Sequence, residues 1–258
     1  METPIGEPAN TISASSEVLC WWLREANHAQ PSFKEDSPPA FPQADAPQAV
    51  RDARERLVSA TSQLNFLAQW PVGAAQSFAN THAFDAASLR CLVHLNIAEH
   101  VPLQGSIGFS NLATRVDTDE ERLTRILRYA MTNHWFLEPE QGKVLHSAMS
   151  SLLVKNKAVL AQVSYQSQVG VPSSAAWIES MQASRYDGAY TNSPFNLAFK
   201  TEKQSMAWAA EDPIKSVWFD EMMRAYQQSS QFALHHTVVG YDWAALGDGL
   251  LVDVGAIP

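Results

Sequence analysis

The chain has 258 residues, with 18 Lys and Arg against 27 Asp and Glu, for a formal charge of −9. Hydrophobic residues at 46% and charged residues at 17% exclude a disordered or fibrous chain, and the acid excess argues against a nucleic-acid binder that works through bulk charge. Cys20 and Cys91 form no disulfide framework and lack zinc spacing, and the apolar run at 18–23 is too short for a membrane span or a signal core, so the sequence reads as intracellular, cytoplasmic and reduced.

In chain order, 1–46 reads as an N-terminal arm and linker. Ser15 or Ser16 is placed to cap a short helix carrying Val18, Leu19, Trp22, Leu23 and Ala26 at helical spacing. Pro31, Pro38, Pro39, Pro42 and Pro47 then exclude regular helix. The next unit, 47–147, opens with a helix over 49–70, closed by Pro71, whose stripe includes Val50, Leu57, Leu64 and Leu67. Alone, these first two helices have little to pack against, and their apolar faces are expected to meet a partner subunit.

A helix over 84–99 follows, then an extended piece at 107–109 and a small helix through Val116 capped by Ser110. A turn at Asp117 and Thr118 leads to a helix over 120–133 with Leu123, Ile126, Leu127, Ala130 and Met131 on one face. Strands at 135–138 and 143–146, joined by a turn at 139–142, make a hairpin. Helix, strand, helix, turn, helix, hairpin is the winged-helix order. DNA is an unlikely partner for it. The first turn of the reading helix carries Asp117, Asp119, Glu120 and Glu121, and Arg122, Arg125 and Arg128 lie within i, i+3 or i+4 reach of them.

The third unit, 148–247, is helical. Helices are expected over 154–169 and 173–185, separated at 170–172, and a short one over 205–211. Asp212 followed by Pro213 is a strong helix start, and the helix after it presents Ile214, Val217, Trp218, Met222, Ala225 and Tyr226 along one side. The last unit, 248–258, holds four aliphatics around Asp253, closing on Gly255, the pattern of a buried parallel strand entering a nucleoside- or phosphate-binding turn.

Five phrases in order carry a family resemblance: NIAEHVPL at 96–103, ILRYAMTN at 126–133, VLHSAM at 144–149, SPFNLAF at 193–199 and GYDWAALGDGLLVDVG at 240–255. Together they resemble the S-adenosylmethionine-dependent O-methyltransferases of the plant caffeic-acid type, and above all their fungal secondary-metabolite relatives. The resemblance implies a mainly α chain: a winged-helix dimerisation domain, a helical segment forming one wall of the acceptor pocket, and only the first strand of a Rossmann-like cofactor domain. Asp253 and Gly255 match the first S-adenosylmethionine motif as vestiges. The ribose-binding acid and general-base histidine of the family have no counterpart in this sequence, and Ala256 and Pro258 replace the glycines of the turn. The expectation is therefore a truncated family member that neither binds the cofactor nor methylates alone.

By position, Phe195, Asn196, Trp208, Phe219, Met223 and Tyr226 are the candidates for the acceptor wall, against the plainer reading of apolar core. None of the eight histidines has the spacing of a metal or hydrolase motif, and no catalytic residue or metal ligand is assigned. The partners implied are a second copy or a full-length homologue. Two further readings stand beside the methyltransferase one: a non-methylating pathway co-activator of the kind known from the aflatoxin cluster, and a pericyclase-like enzyme.

Overall fold

The computed structural model describes residues 4–183, 190–228, 234–247, 250 and 252. Helix α1 (Gly6–Glu25) begins nine residues ahead of the expected serine cap at Ser15. Pro8 permits this because it falls in the first turn, where backbone N–H groups have no intrahelical partner. α1 packs on the first part of α2 (Gln48–His94). Trp22 and Leu23 meet Ala46 and Val50, with Leu19 and Phe41 at the edge. The two helices thus pack on each other, which corrects the expectation that neither finds a surface within the chain. Their outer faces still leave Trp21, Val58 and Phe66 exposed.

α2 breaks at Trp70 (φ 59°, ψ 162°), where Pro71 follows, and then runs on without the pause expected before residue 84. Asn96, in the left-handed region, separates it from α3 (Ile97–His100). β1 (Ile107–Gly108) leads into α4 (Phe109–Arg115), which starts one residue before Ser110 and has no side-chain cap, because its N-cap residue is Gly108; Phe109 is buried in the core. α5 (Glu120–Thr132) is capped by Asp119, whose carboxylate accepts from the Arg122 backbone N–H at 2.9 Å.

The hairpin differs from the sequence expectation. β2 (Lys143–Val144) pairs antiparallel with β1, Ile107 opposite Val144, while 135–138 contributes one bridge, between Leu137 and Leu145. His134 and Phe136 have φ of 61° and 63°, which removes that segment from extended geometry. The gain is burial: Phe136 sits fully enclosed in a core with Leu92, Ile97, Leu112, Leu123, Leu127 and Val144.

α6 (Ala148–Lys155) opens with a capping box between Ser147 and Ser150. The linker is pinned beside it: Ala148 N–H donates to Phe33 O at 2.9 Å, and Lys155 Nζ meets Glu35 Oε2 at 2.6 Å. α7 (Lys157–Tyr165) passes through a π-helical turn (Gln166–Gly170) directly into α8 (Val171–Ala175). The break expected at 170–172 is absent. Val171 N–H reaches Gln166 O, and Pro172 falls in the first turn of α8, where it needs no donor. After α9 (Trp177–Ala183) come α10 (Pro194–Phe199), α11 (Ser205–Ala210), α12 (Pro213–Gln228) and α13 (Leu234–Gly240). Asp212 caps α12 as expected, accepting from Ile214 N–H at 2.9 Å.

The fold is mainly α with one small antiparallel sheet. No helix among the described residues is long and apolar enough to cross a membrane. Leu250 and Val252, read from sequence as part of a buried strand, are 92% and 68% exposed and lie in no strand. A parallel strand is held by its neighbours, and the described residues place none beside these two.

Candidate functional site

The aromatic side chains of the third unit converge where α12 crosses α7, with α10 and α11 closing one side. Tyr165, Val169 and Met222 are buried at the centre, and Phe195, Phe199, Trp208, Trp218, Phe219 and Tyr226 pack around them, half-buried. Residues 218, 222 and 226 face α7 because an α-helix brings every fourth residue back to one side. Phe195 meets Trp208 edge-on with centroids 5.3 Å apart, and Tyr165 meets Phe219 at 5.6 Å. These are the tilted arrangements that ring quadrupoles favour. Lys215 Nζ lies 4.6 Å over the Trp208 ring.

Few polar groups border this cluster. Gln166, at the start of the π turn, directs its side-chain Nε2 toward the Tyr226 hydroxyl at 3.4 Å and Met222 Sδ at 3.8 Å. Burial pushes the Tyr165 phenol pKa above its ordinary value, so that hydroxyl stays protonated through the neutral range.

Of the six wall candidates, the structure brings together Phe195, Trp208, Phe219 and Tyr226. Asn196 is adjacent and only 4% exposed, but its amide is already committed. Nδ2 donates to Thr201 O at 2.6 Å and Lys203 O at 2.9 Å, while Oδ1 accepts from the Ser193 hydroxyl, so it ties down the loop after α10. Met223 is 40% exposed and outside the cluster, because one residue is a 100° step around a helix and Met222 holds the inward phase. Ile214 and Val217, from the expected stripe, are exposed too. Tyr165, Val169, Phe199 and Gln166 belong to the site without having been singled out. Tyr165, Gln166 and Val169 fall within the helix expected over 154–169, and Phe199 within the SPFNLAF phrase, where large apolar side chains at helical spacing are the signal.

Asp253 and Gly255 lie outside the described residues. Among the described residues no three His, Cys, Asp or Glu side chains gather as a metal site. His146 is fully buried: Nε2 lies 3.1 Å from Val101 O and Nδ1 3.0 Å from Ser150 Oγ, which assigns the neutral Nε2–H tautomer. On the first-turn face of α5, Arg125 pairs with Glu121 at 3.9 Å. Arg128 departs from the expected helical pairing and binds Glu138 of the hairpin through two bonds of 2.8 Å.

No protein-family model matches the chain. Curated fungal proteins do. O-methyltransferase aurJ of Gibberella zeae is 31% identical over 249 residues, 96% of this chain and 56% of that protein. O-methyltransferase bik3 of Gibberella fujikuroi is 30% identical over 253 residues, 98% of this chain and 56% of that one. The chain spans just over half the length of these relatives. Among solved structures, OxaC in complex with sinefungin and meleagrin superimposes with a TM-score of 0.66 at 15% identity, over 93% of this chain and 53% of OxaC. LepI in complex with SAM gives 0.58 at 15% identity, over 84% of this chain and 50% of LepI. Both share the fold. By sequence, the chain belongs with the fungal O-methyltransferases of secondary-metabolite clusters.

Proposed function

We propose that this chain is the dimerising, acceptor-binding half of an S-adenosylmethionine-dependent O-methyltransferase of fungal secondary metabolism, working in the cytoplasm. The observation that carries the reading is the alignment with aurJ and bik3 over nearly every residue of the chain, within which the α7–α12 aromatic cluster sits. In this reading 84–147 is a winged-helix packing module rather than a DNA reader. The ion pairs of Arg125 and Arg128 support that, since they leave less free positive charge for phosphates.

The cluster forms one wall of the acceptor site. Phe195, Trp208, Phe219 and Tyr226 offer flat apolar faces to a planar phenol, and the Gln166 amide beside the Tyr226 hydroxyl offers a polar contact at its edge. Asp253 and Gly255, matched to the first cofactor motif, lie outside the described residues, and Leu250 and Val252 just before them are exposed and unpaired by any strand among the described residues. In this reading the chain by itself does not transfer a methyl group.

The test is a titration of the chain with planar phenolic polyketides, followed by tryptophan fluorescence. Saturable quenching at high-micromolar ligand, lost in Phe219→Ala, is the expected result. A linear, unsaturable response in the unaltered chain contradicts the wall reading. An interaction-protein role, through pairing with itself or with a full-length homologue, is the second reading, favoured by the exposed apolar face of the α1–α2 hairpin.

A further inference from the structure

We propose a second ligand site in this chain, a cavity between α1, the proline-rich linker and α2 that takes a planar aromatic carboxylate, with Arg54 holding the carboxylate. It shares no residue with the α7–α12 cluster and stands apart from the acceptor reading. The cavity is about 670 Å³, within the range of small-molecule pockets. Its walls follow from the local sequence. Asn27, at φ 56°, turns the chain after α1, and His28 N–H donates to Leu23 O at 2.8 Å. Pro38, Pro39 and Pro42 then keep the linker out of helix, and it stands off from α1 and α2 as the outer wall. Both ends of that span are fixed. On one side Lys155 Nζ meets Glu35 Oε2 at 2.6 Å. On the other, Ala46 is buried with Trp22, Leu23 and Val50, and its carbonyl accepts from Arg51 Nη1 at 2.7 Å. A wall held at both ends is formed before a ligand arrives.

Arg54 decides the chemistry of the ligand. Its guanidinium lies 5.1 Å over the Phe41 ring, which occupies its face and leaves its N–H edge for an acceptor in the plane. Among the described residues nothing accepts from that edge. Arg24, Arg56 and Arg122 also have side chains without a hydrogen bond or ion pair among the described residues, but all three are exposed, whereas Arg54 is half-buried. A guanidinium drawn out of water without an acceptor is what a carboxylate satisfies, through two parallel N–H···O bonds. The other basic side chain at the cavity, His28, already faces Asp45 Oδ2 at 3.8 Å. One uncompensated charge therefore remains. A carboxylate balances it, whereas a phosphate monoester would bring nearly two charges into a mostly apolar cavity.

The body of the ligand is read from the remaining walls. Leu19, Leu23 and Leu57 offer aliphatic contact, and the rings of Pro38, Pro39 and Phe41 offer flat faces. Trp22 meets the His28 and Phe41 rings with centroids 5.0 and 5.8 Å apart, which fixes where those rings stand. Rigid flat walls suit a rigid flat ligand, which loses little freedom on entering.

Cys20 supplies a local reporter. Its thiol lines the cavity and is exposed, whereas Cys91, half-buried on α2, lies outside it. The experiment is alkylation of the whole native chain by iodoacetamide, read at each cysteine by peptide mass spectrometry, with and without naphthoate. Cys20 is expected to react in the unliganded chain and to slow about tenfold when naphthoate is ten times its Kd, by mass action, with Cys91 unchanged. Arg54→Gln is expected to weaken naphthoate binding by about tenfold or more, the scale of a charged hydrogen bond. Arg54→Lys keeps the charge and loses the planar fork, so about threefold is expected. Far-UV circular dichroism shows that each variant is folded, and Arg54→Lys carries the reading if Arg54→Gln is not. Phe219→Ala is expected to leave the protection of Cys20 intact, which separates this site from the acceptor wall.

Equal protection by naphthol overturns the carboxylate, tighter protection by naphthyl phosphate overturns the single charge, and tighter protection by decanoate overturns the flat ring. Equal protection in all Arg54 variants overturns the role of Arg54. Loss of protection in Phe219→Ala overturns a separate site. A Cys20 that does not alkylate in the unliganded native chain, or that millimolar naphthoate leaves unprotected, overturns the cavity as a ligand site altogether.

Discussion

His146 and Glu138 hold opposite ends of the hairpin and are lost at different pH. His146 is buried as the neutral imidazole, and burial depresses its pKa below the ordinary histidine value of 6.5. The unfolded chain therefore binds a proton that the folded chain refuses, so stability is complete above about pH 6.5 and declines as pH falls below it. Glu138 is held at about 2, against 4.5, first by the Arg128 guanidinium and then by the Gly142 N–H at 2.7 Å. Its contribution is present above about pH 4.5 and is lost as pH falls toward 2. Urea midpoints measured from pH 8 to 3 should show two declines, the upper one flattened in His146→Gln and the lower one in Glu138→Gln. Asn196 gives a third residue-scale test. Asn196→Ala removes the buried amide that holds two backbone carbonyls and the Ser193 hydroxyl of a half-buried loop, at an expected cost of about 1–2 kcal/mol by denaturation.

Helix α12 decides between core and wall by phase. Met222 is buried against Tyr165 and Val169, so Met222→Ala should destabilise by about 2–5 kcal/mol. Met223→Ala, one step around the helix and exposed, should change stability by less than about 0.5 kcal/mol. A larger loss in Met223→Ala than in Met222→Ala in urea unfolding would place the helix in the other phase. Ser147→Ala tests α6 likewise: its hydroxyl accepts from Ser150 N–H and from the buried Phe136 N–H at 3.2 Å, so about 2 kcal/mol is expected. Legibility at this scale follows range. Asp212 and Pro213 announced α12 because capping is settled within three residues. The π turn was not legible: Pro172 looks like a break until one knows that the preceding carbonyls bond five residues on. The hairpin failed for a similar reason, since the positive φ of His134 and Phe136 is set by the core that Phe136 enters and by no local pattern.

At the scale of the molecule, the family relation was legible because five separated phrases keep their order across a chain that matches its relatives from end to end. The aromatic cluster was legible in four of its members for a different reason: large rings at helical spacing must converge somewhere, and α7 is the surface α12 meets. The pairing of α1 with α2 was hidden by the proline-rich linker, whose composition does not tell where it returns the chain. Leu250 and Val252 have the composition of a strand, but aliphatic residues make a strand only beside other strands, and none among the described residues lies beside them. The proposed function gives this chain the acceptor side of the site and no binding of S-adenosylmethionine by the chain alone. Isothermal titration of the purified chain with S-adenosylmethionine measures it most directly. The account predicts no saturable heat up to millimolar cofactor, whereas binding in the micromolar range would contradict it.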